Sequence, residues 1–528
     1  VLRAAKALLI LVGLALGGCT RASASPAPVT ITIDCRAPGH RISPLIYGVA
    51  IPDNRDPARA LPWELGATAR RWGGNSSSRY NWELGNAWNT ANDWFFRNVD
   101  YGIGSWSEFL DENRAHGLAS ALTVPLLGQV AKDTSSRSYP VALLGRQHAM
   151  DPEQKSGDGI ALDGKPLAPQ STSVAAPPEM IARWAAAVRA RGGVQQYILD
   201  NEPMLWHETH RDVHPQPVGY DELLDRTLRY GAAIRKADPH AVIAGPALWG
   251  WPAYFYSAID AKSGFRSHPD RRAHGDLPLL VWYLQQVKAA ERKSGVHILD
   301  LLDVHFYPQA GGLGTGKEGS VDARTAALRV RSVRGLWDPD YRDESFIEQP
   351  IRLLPRLREW IDANDPGLGI SIGEYNFGAE QHISGGLALA EALGRFAQFE
   401  VTSAFYWTAP PRDSPAYWAF RAFRNYDGHD GHFLELFAGA ASLDRLSLFA
   451  SRDAGATRAI VVAVNSRDTA AAATVELRNC GERGPSAQFT YTAGSTGLIR
   501  HDLHGETATL PPMSITALEV QLAPAPSR

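Results

Sequence analysis

Between residues 42 and 428 short apolar runs alternate with longer stretches whose apolar residues recur at helical spacing. The short runs, at 42–50, 67–75, 118–124, 195–202, 241–246, 299–307, 368–375 and 401–407, read as strands. The longer stretches read as helices. One spans 177–193 and opens on Pro; another spans 220–239 and ends at Asp-Pro. Eight strands alternating with helices predict an α/β fold with a parallel sheet closed into a (β/α)8 TIM-type barrel. Segments 129–177 and 309–323, rich in Gly, Ser, Asp and Pro, predict long loops on that barrel.

The pattern changes after Gly428. Short alternating runs such as RAIVVAVNS, AATVELRN and ITALEVQL predict a β-sandwich over 429–522, followed by a tail at 523–528. The early run VTITIDC has the same character, so the segment 29–41 is expected to add a strand from the other end of the chain. Ahead of it, Arg3 and Lys6 precede the apolar run 7–16, too short to span a bilayer, which reads as a signal peptide over 1–18. The run ends in Leu16-Gly17-Gly18-Cys19, which resembles a bacterial lipobox. Lipidation of Cys19, a tether over 19–28 and anchoring at the cell envelope are therefore expected, against ordinary cleavage near Ala22 or Ala24 and secretion. Cys35 and Cys480 then remain, either as a disulfide between the two chain ends or as two buried thiols.

Composition narrows the function classes. Among 528 residues, 53 Lys and Arg against 56 Asp and Glu leave no basic footprint for nucleic acid. A chain 44% hydrophobic and 21% charged can bury a sizeable core. Three cysteines in such a length exclude a disulfide scaffold, and 15 Trp with 17 Tyr suggest stacking surfaces.

The chemistry sits where barrel strands end. The fourth strand candidate runs into Asn201-Glu202-Pro203, and the seventh into Glu374-Tyr375-Asn376. Glycoside hydrolysis needs one carboxyl to protonate the leaving oxygen and a second to attack or to activate water. In this reading Asn201 holds a sugar 2-hydroxyl and Tyr375 restrains a carboxylate.

The segments 69–96, 197–215, 244–260, 302–309, 372–376 and 418–428 together resemble glycoside hydrolase family 44, endoglucanases and xyloglucanases built of a barrel plus a sandwich. The resemblance implies a retaining mechanism, with Glu202 as general acid/base and Glu374 as nucleophile. Arg71, at the end of strand two, is expected to hold Glu374 ionised, while Glu202 keeps its proton until the leaving oxygen takes it.

Trp72, Asn75, Trp94, Trp249, Trp251, Trp337 and Trp407 are candidates to line a sugar cleft, and His305 and Tyr307 follow strand six toward it. Other motifs fail on spacing. His207-Glu208-Thr209-His210 has its histidines three apart rather than four, which rejects a catalytic zinc. The run 311–317 (GGLGTGK) continues with Glu318 where a P-loop needs Ser or Thr. The sequon at Asn75 carries little weight in a bacterial-type lipoprotein. No cofactor is expected; a structural calcium ion is compatible with the chain, although no EF-hand-like loop announces one. The favoured reading is a membrane-tethered endo-β-1,4-glucan hydrolase acting on cellulose-type glucan or xyloglucan. The alternatives are another retaining barrel hydrolase, a xylanase or arabinofuranosidase, and a non-catalytic surface glycan-binding lipoprotein.

Overall fold

The computed structural model describes residues 28–50, 60–481 and 483–523; Cys19 and the leader lie outside them. Eight parallel strands close into a barrel in chain order: Gly48–Ala50, Ala69–Trp72, Ala119–Val124, Gln196–Leu199, Ile243–Leu248, Leu301–Phe306, Gly369–Tyr375 and Ser403–Tyr406. Each strand falls within or overlaps its predicted run. The fifth and sixth are buried at every position, as expected of strands covered on both faces.

The helix Pro178–Ala190 begins with Pro at its first turn, ends with Arg189 in its last, and turns Met180, Ile181, Trp184, Ala185 and Val188 inward. Tyr220–Ala237 follows the same logic with Asp221 and Glu222 in its first turn and Arg235 and Lys236 in its last. The segment 129–177 is more ordered than its composition suggests: Gln129–Ala131 and Ser173–Ala175 pair as an antiparallel ribbon at its base.

The sandwich comprises a seven-stranded and a three-stranded sheet. Val29–Asp34 joins the smaller sheet by pairing in parallel with Ala471–Arg478, and a disulfide links Cys35 to Cys480 beside that pair. Barrel and sandwich meet across the helix Ile383–Gln398, which is buried along nearly its whole length. Gly394 on this helix makes the approach feasible, because a Cβ there would lie 2.3 Å from the ring of Phe449 on the sandwich. Among the described residues, no helix is long and apolar enough to cross a membrane.

Candidate active site

Side chains alternate along a strand, so every inward residue at the C-terminal end of the barrel has outward neighbours. On strand two Arg71 points inward. On strand six Asp303 and His305 do so, and on strand seven Glu374. These positions, with Tyr307 and the loop after strand four, build one cluster.

Glu374 is 5% exposed and fully engaged. Its Oε1 accepts a bond from Arg71 Nη1 at 2.5 Å, and its Oε2 one from the Tyr307 hydroxyl at 2.8 Å. Arg71 is itself fixed: Nη1 also donates to the carbonyl of Gly373 at 3.0 Å, and Nη2 to Asn201 Oδ1 at 2.9 Å. Burial pushes the Glu374 carboxyl up, but the opposing charges of His305 and Arg71 outweigh it, and the group rests below its ordinary range.

Glu202 lies three residues beyond strand four, where Asp200 and Glu202 both adopt positive φ (65° and 46°). That strained turn is held by several bonds. Asp200 accepts from Ser78 Oγ and from the backbone of Leu126 and Leu127, and Glu202 N donates to the carbonyl of Ala247 at 3.0 Å. Trp206 Nε1 donates to the carbonyl of Asn201 at 3.2 Å. The turn therefore presents the Glu202 carboxyl at one defined place.

His305 bridges the two glutamates. Its Nδ1 lies 2.8 Å from Glu202 Oε1 and 3.5 Å from Glu374 Oε2. One carboxylate oxygen of each glutamate and a ring nitrogen of His305 all fall within 4.8 Å of one another. Burial lowers the pKa of His305, yet the charge of Glu374 and the bond to Glu202 prevail and raise it. Among the described residues this trio is the one grouping with a donor set for a metal ion. Both Glu374 oxygens already take donors. The arrangement is suited to moving a proton between its members.

Asn201 is 2% exposed, and its Nδ2 donates to Asn75 Oδ1 at 3.0 Å. Asn75 in turn donates to Asp93 at 3.2 and 3.3 Å. Asp93 is a site residue that the sequence reading missed. The protein crowded around it raises its pKa, and the charges of Glu202 and Glu374 push the same way against the Asn75 bond. Its position depends on left-handed backbone at Ala91, Phe95 and Phe96, which no residue type there announces.

The tryptophans divide. Trp407, half-buried at the end of strand eight, lies against Gly74, and Trp94 is 39% exposed beside Asp93. Trp249 lines a depression of about 510 Å3 with Met204 and Leu205, the residues just past Glu202. Four expectations need correction. Trp72 is 1% exposed and packs with Tyr80, Trp88 and Phe109: the residue after inward Arg71 must face the helices. Tyr375, following inward Glu374, is buried among Phe377, Phe396 and Tyr406, and Tyr307 does the restraining instead. Trp251 packs at a tilt against Phe255 with Arg356 over its ring, part of the packing around the barrel core. Trp337 lines a separate groove at the sandwich, under Arg395.

The sequence profile of glycoside hydrolase family 44 matches residues 87–310. Endoglucanase A of Paenibacillus lautus is 32% identical over 413 residues, 73% of this chain, and the chain spans 56% of that relative's length. The crystal structure of CelM2, a bifunctional glucanase-xylanase from a metagenome library, superposes with a TM-score of 0.85 at 33% identity, covering 94% of this chain and 99% of that one. A Paenibacillus polymyxa xyloglucanase of the same family, solved with xyloglucan, gives a TM-score of 0.74 at 26% identity over 93% of this chain and 99% of its own. With the barrel, the sandwich and the paired glutamates in place, this chain belongs to glycoside hydrolase family 44.

Proposed function

We propose that the protein is a retaining, endo-acting hydrolase of β-1,4-glucan backbones, cellulose-type glucan or xyloglucan. The observation that carries the reading is the closeness of Glu202 and Glu374, whose nearest oxygens lie within 4.8 Å with His305 between them. Carboxyls that close, about 5 Å apart, favour direct attack; inverting pairs stand roughly 6.5 to 9.5 Å apart to admit a water. The names of the relatives, endoglucanase and xyloglucanase, point to the same substrates.

In this mechanism Glu374, kept ionised by Arg71, attacks the anomeric carbon as Glu202 gives its proton to the leaving oxygen. The glycosyl–Glu374 ester removes the negative charge that faced Glu202 and His305. Glu202, now ionised, takes a proton from water, which attacks the face the leaving group vacated, opposite Glu374, and releases Glu374. Asn201 keeps one Nδ2 hydrogen beyond its bond to Asn75, and this would meet the sugar 2-hydroxyl. Trp407 and Trp94 stack on ring C–H faces. The N-terminal reading belongs to the proposal as well: export and anchoring through a lipid on Cys19, tested by labelled palmitate incorporation that Cys19→Ser abolishes.

The deciding experiment is incubation with xyloglucan, carboxymethylcellulose and xylan, with products sized and the anomer followed by NMR. Mid-chain cleavage of a β-glucan giving the β-anomer first supports the reading. Release of the α-anomer sinks retention, and cleavage of xylan alone sinks the glucan assignment.

A further inference from the structure

A groove of about 810 Å3 separates the barrel helix Ala323–Ser332 and the helix Ile383–Gln398 from the sandwich strands Leu436–Leu443 and Leu446–Arg452. It shares no residue with the glutamate cluster and lies at a domain boundary, where ligand sites concentrate.

Its polar side is built in advance. Arg395, 4% exposed, donates from Nε to Glu391 Oε1 at 2.9 Å, from Nη1 to Gln398 at 2.7 Å and from Nη2 to Ser442 at 2.8 Å. Its guanidinium stacks on Trp337, 3.9 Å from the ring centroid. Ser447 Oγ also donates to Glu391 Oε1, at 3.0 Å. Among the described residues every hydrogen bond to Glu391 falls on Oε1. Oε2 accepts no hydrogen bond from the described residues, and Glu391 lines the groove.

The charges of the lining cancel. Arg334 faces Asp338 at 2.8 Å, Arg395 faces Glu391 at 2.8 Å and Arg445 faces Asp468 at 3.6 Å; Arg331 and Asp444 complete the set with opposite signs. Burial and the charge of Arg329 lower the pKa of His382. A groove with no net charge selects neither a phosphate nor a cation. The Glu391 carboxylate, the hydroxyls of Ser442 and Ser447 and an aliphatic wall of Ala326, Ala327 and Val330 fit the hydroxyls and C–H groups of a neutral sugar chain, while Arg395 covers one face of the Trp337 indole beside them.

We propose that this groove is a second carbohydrate-binding site, taking a neutral oligosaccharide segment of the polymer. The inference rests on the glucan reading above. Its test uses the full chain carrying Glu374→Gln, titrated calorimetrically with cellohexaose and with a xyloglucan oligosaccharide. Two molecules bound per chain are expected, falling to one when Ala327→Arg fills the groove or Trp337→Phe trims its indole. A single bound molecule, unchanged by either substitution, overturns the second site while leaving hydrolysis by the wild-type chain intact. A wild-type chain that cleaves no β-glucan overturns the underlying reading instead, and this inference with it.

Discussion

Arg71 Nη1 meets Glu374 Oε1 at 2.5 Å while its Nη2 holds Asn201, the residue immediately before Glu202. One guanidinium thus sets both the charge of the proposed nucleophile and the place of the loop that carries the proposed acid. Lys supplies a single point of charge and cannot span both partners. Arg71→Lys should lower kcat more than roughly 100-fold by misplacing the two carboxyls, a loss of the size that misalignment near 1 Å produces. Near-normal kcat in a folded Arg71→Lys chain would falsify the two-handed role.

The glutamates themselves should behave asymmetrically. Glu202→Gln removes the proposed general acid/base assistance, worth about 10²–10⁴-fold. A substrate with a leaving group that needs no proton, such as an activated aryl glycoside, should recover the glycosylation step. Glu374→Gln removes the proposed nucleophile, and no leaving group should rescue it. Rescue of Glu374→Gln by the activated substrate, or failure to rescue Glu202→Gln, would reverse the assignment. Both variants should keep their circular dichroism spectra.

The pH profile follows from the causes of the Glu374 shift. In the proposed mechanism turnover needs Glu374 ionised, and its pKa lies below the ordinary carboxylate range because His305 and Arg71 outweigh burial. Activity should therefore persist into mildly acidic pH and fall only as pH drops through that lowered value. Removing a stabiliser of the anion raises the value, so the acid limb moves to higher pH. Tyr307→Phe deletes a bond to a charged acceptor worth about 1.5–3 kcal/mol, so kcat should fall roughly 10- to 100-fold along with that movement. His305→Asn should displace the acid limb the same way. Profiles of kcat against pH that superpose on wild type would remove both residues from the account.

The eight strands were legible because barrel strands advertise themselves as short apolar runs, and the two glutamates proposed to carry the chemistry were picked out by their places at strand ends. Facing was less legible. At Arg71-Trp72 and Glu374-Tyr375 two adjacent residues both suit a sugar site, and only knowing that the charged one points inward turns the aromatic one outward. Trp337 misled for another reason: an indole beside a groove looks alike in sequence whichever groove it lines. Asp93 was hidden because left-handed backbone at Ala91, Phe95 and Phe96 sets its place, and none of these is a glycine. The link from Asn75 to Asp93 exists only once strand two and its loop are folded over the cleft.

The two chain ends give a prediction about stability without activity. The bridge from Cys35 to Cys480 fastens Val29–Asp34 beside Ala471–Arg478, far along the chain from either glutamate. Replacing both cysteines by serine should cost about 2–4 kcal/mol by freeing the unfolded chain. Thermal unfolding should come earlier while kcat at moderate temperature stays as it was. A parallel loss of kcat in the still-folded double variant would mean that the sandwich edge reaches the cleft.

A packed tryptophan and a cleft tryptophan can be told apart by which property each substitution damages. Trp72 is sealed among Tyr80, Trp88 and Phe109, so Trp72→Ala should cost about 3–5 kcal/mol of stability and reach activity only through unfolding. Trp407 is half-buried, and its ring covers Gly74, which holds φ at +89°. Trp407→Ala should leave thermal unfolding close to wild type and raise KM for polymer several-fold by removing a stacking face. Gly74→Ala tests the same contact from below. Its Cβ would come 2.6 Å from the Trp407 ring, on a backbone conformation that alanine adopts only under strain, so the indole must move off its seat. This variant should show the KM defect of Trp407→Ala together with a modest loss of stability. If Gly74→Ala destabilises the chain but leaves KM unchanged, the seat of Trp407 does not set sugar binding, and the stacking surface must be sought at Trp94 instead.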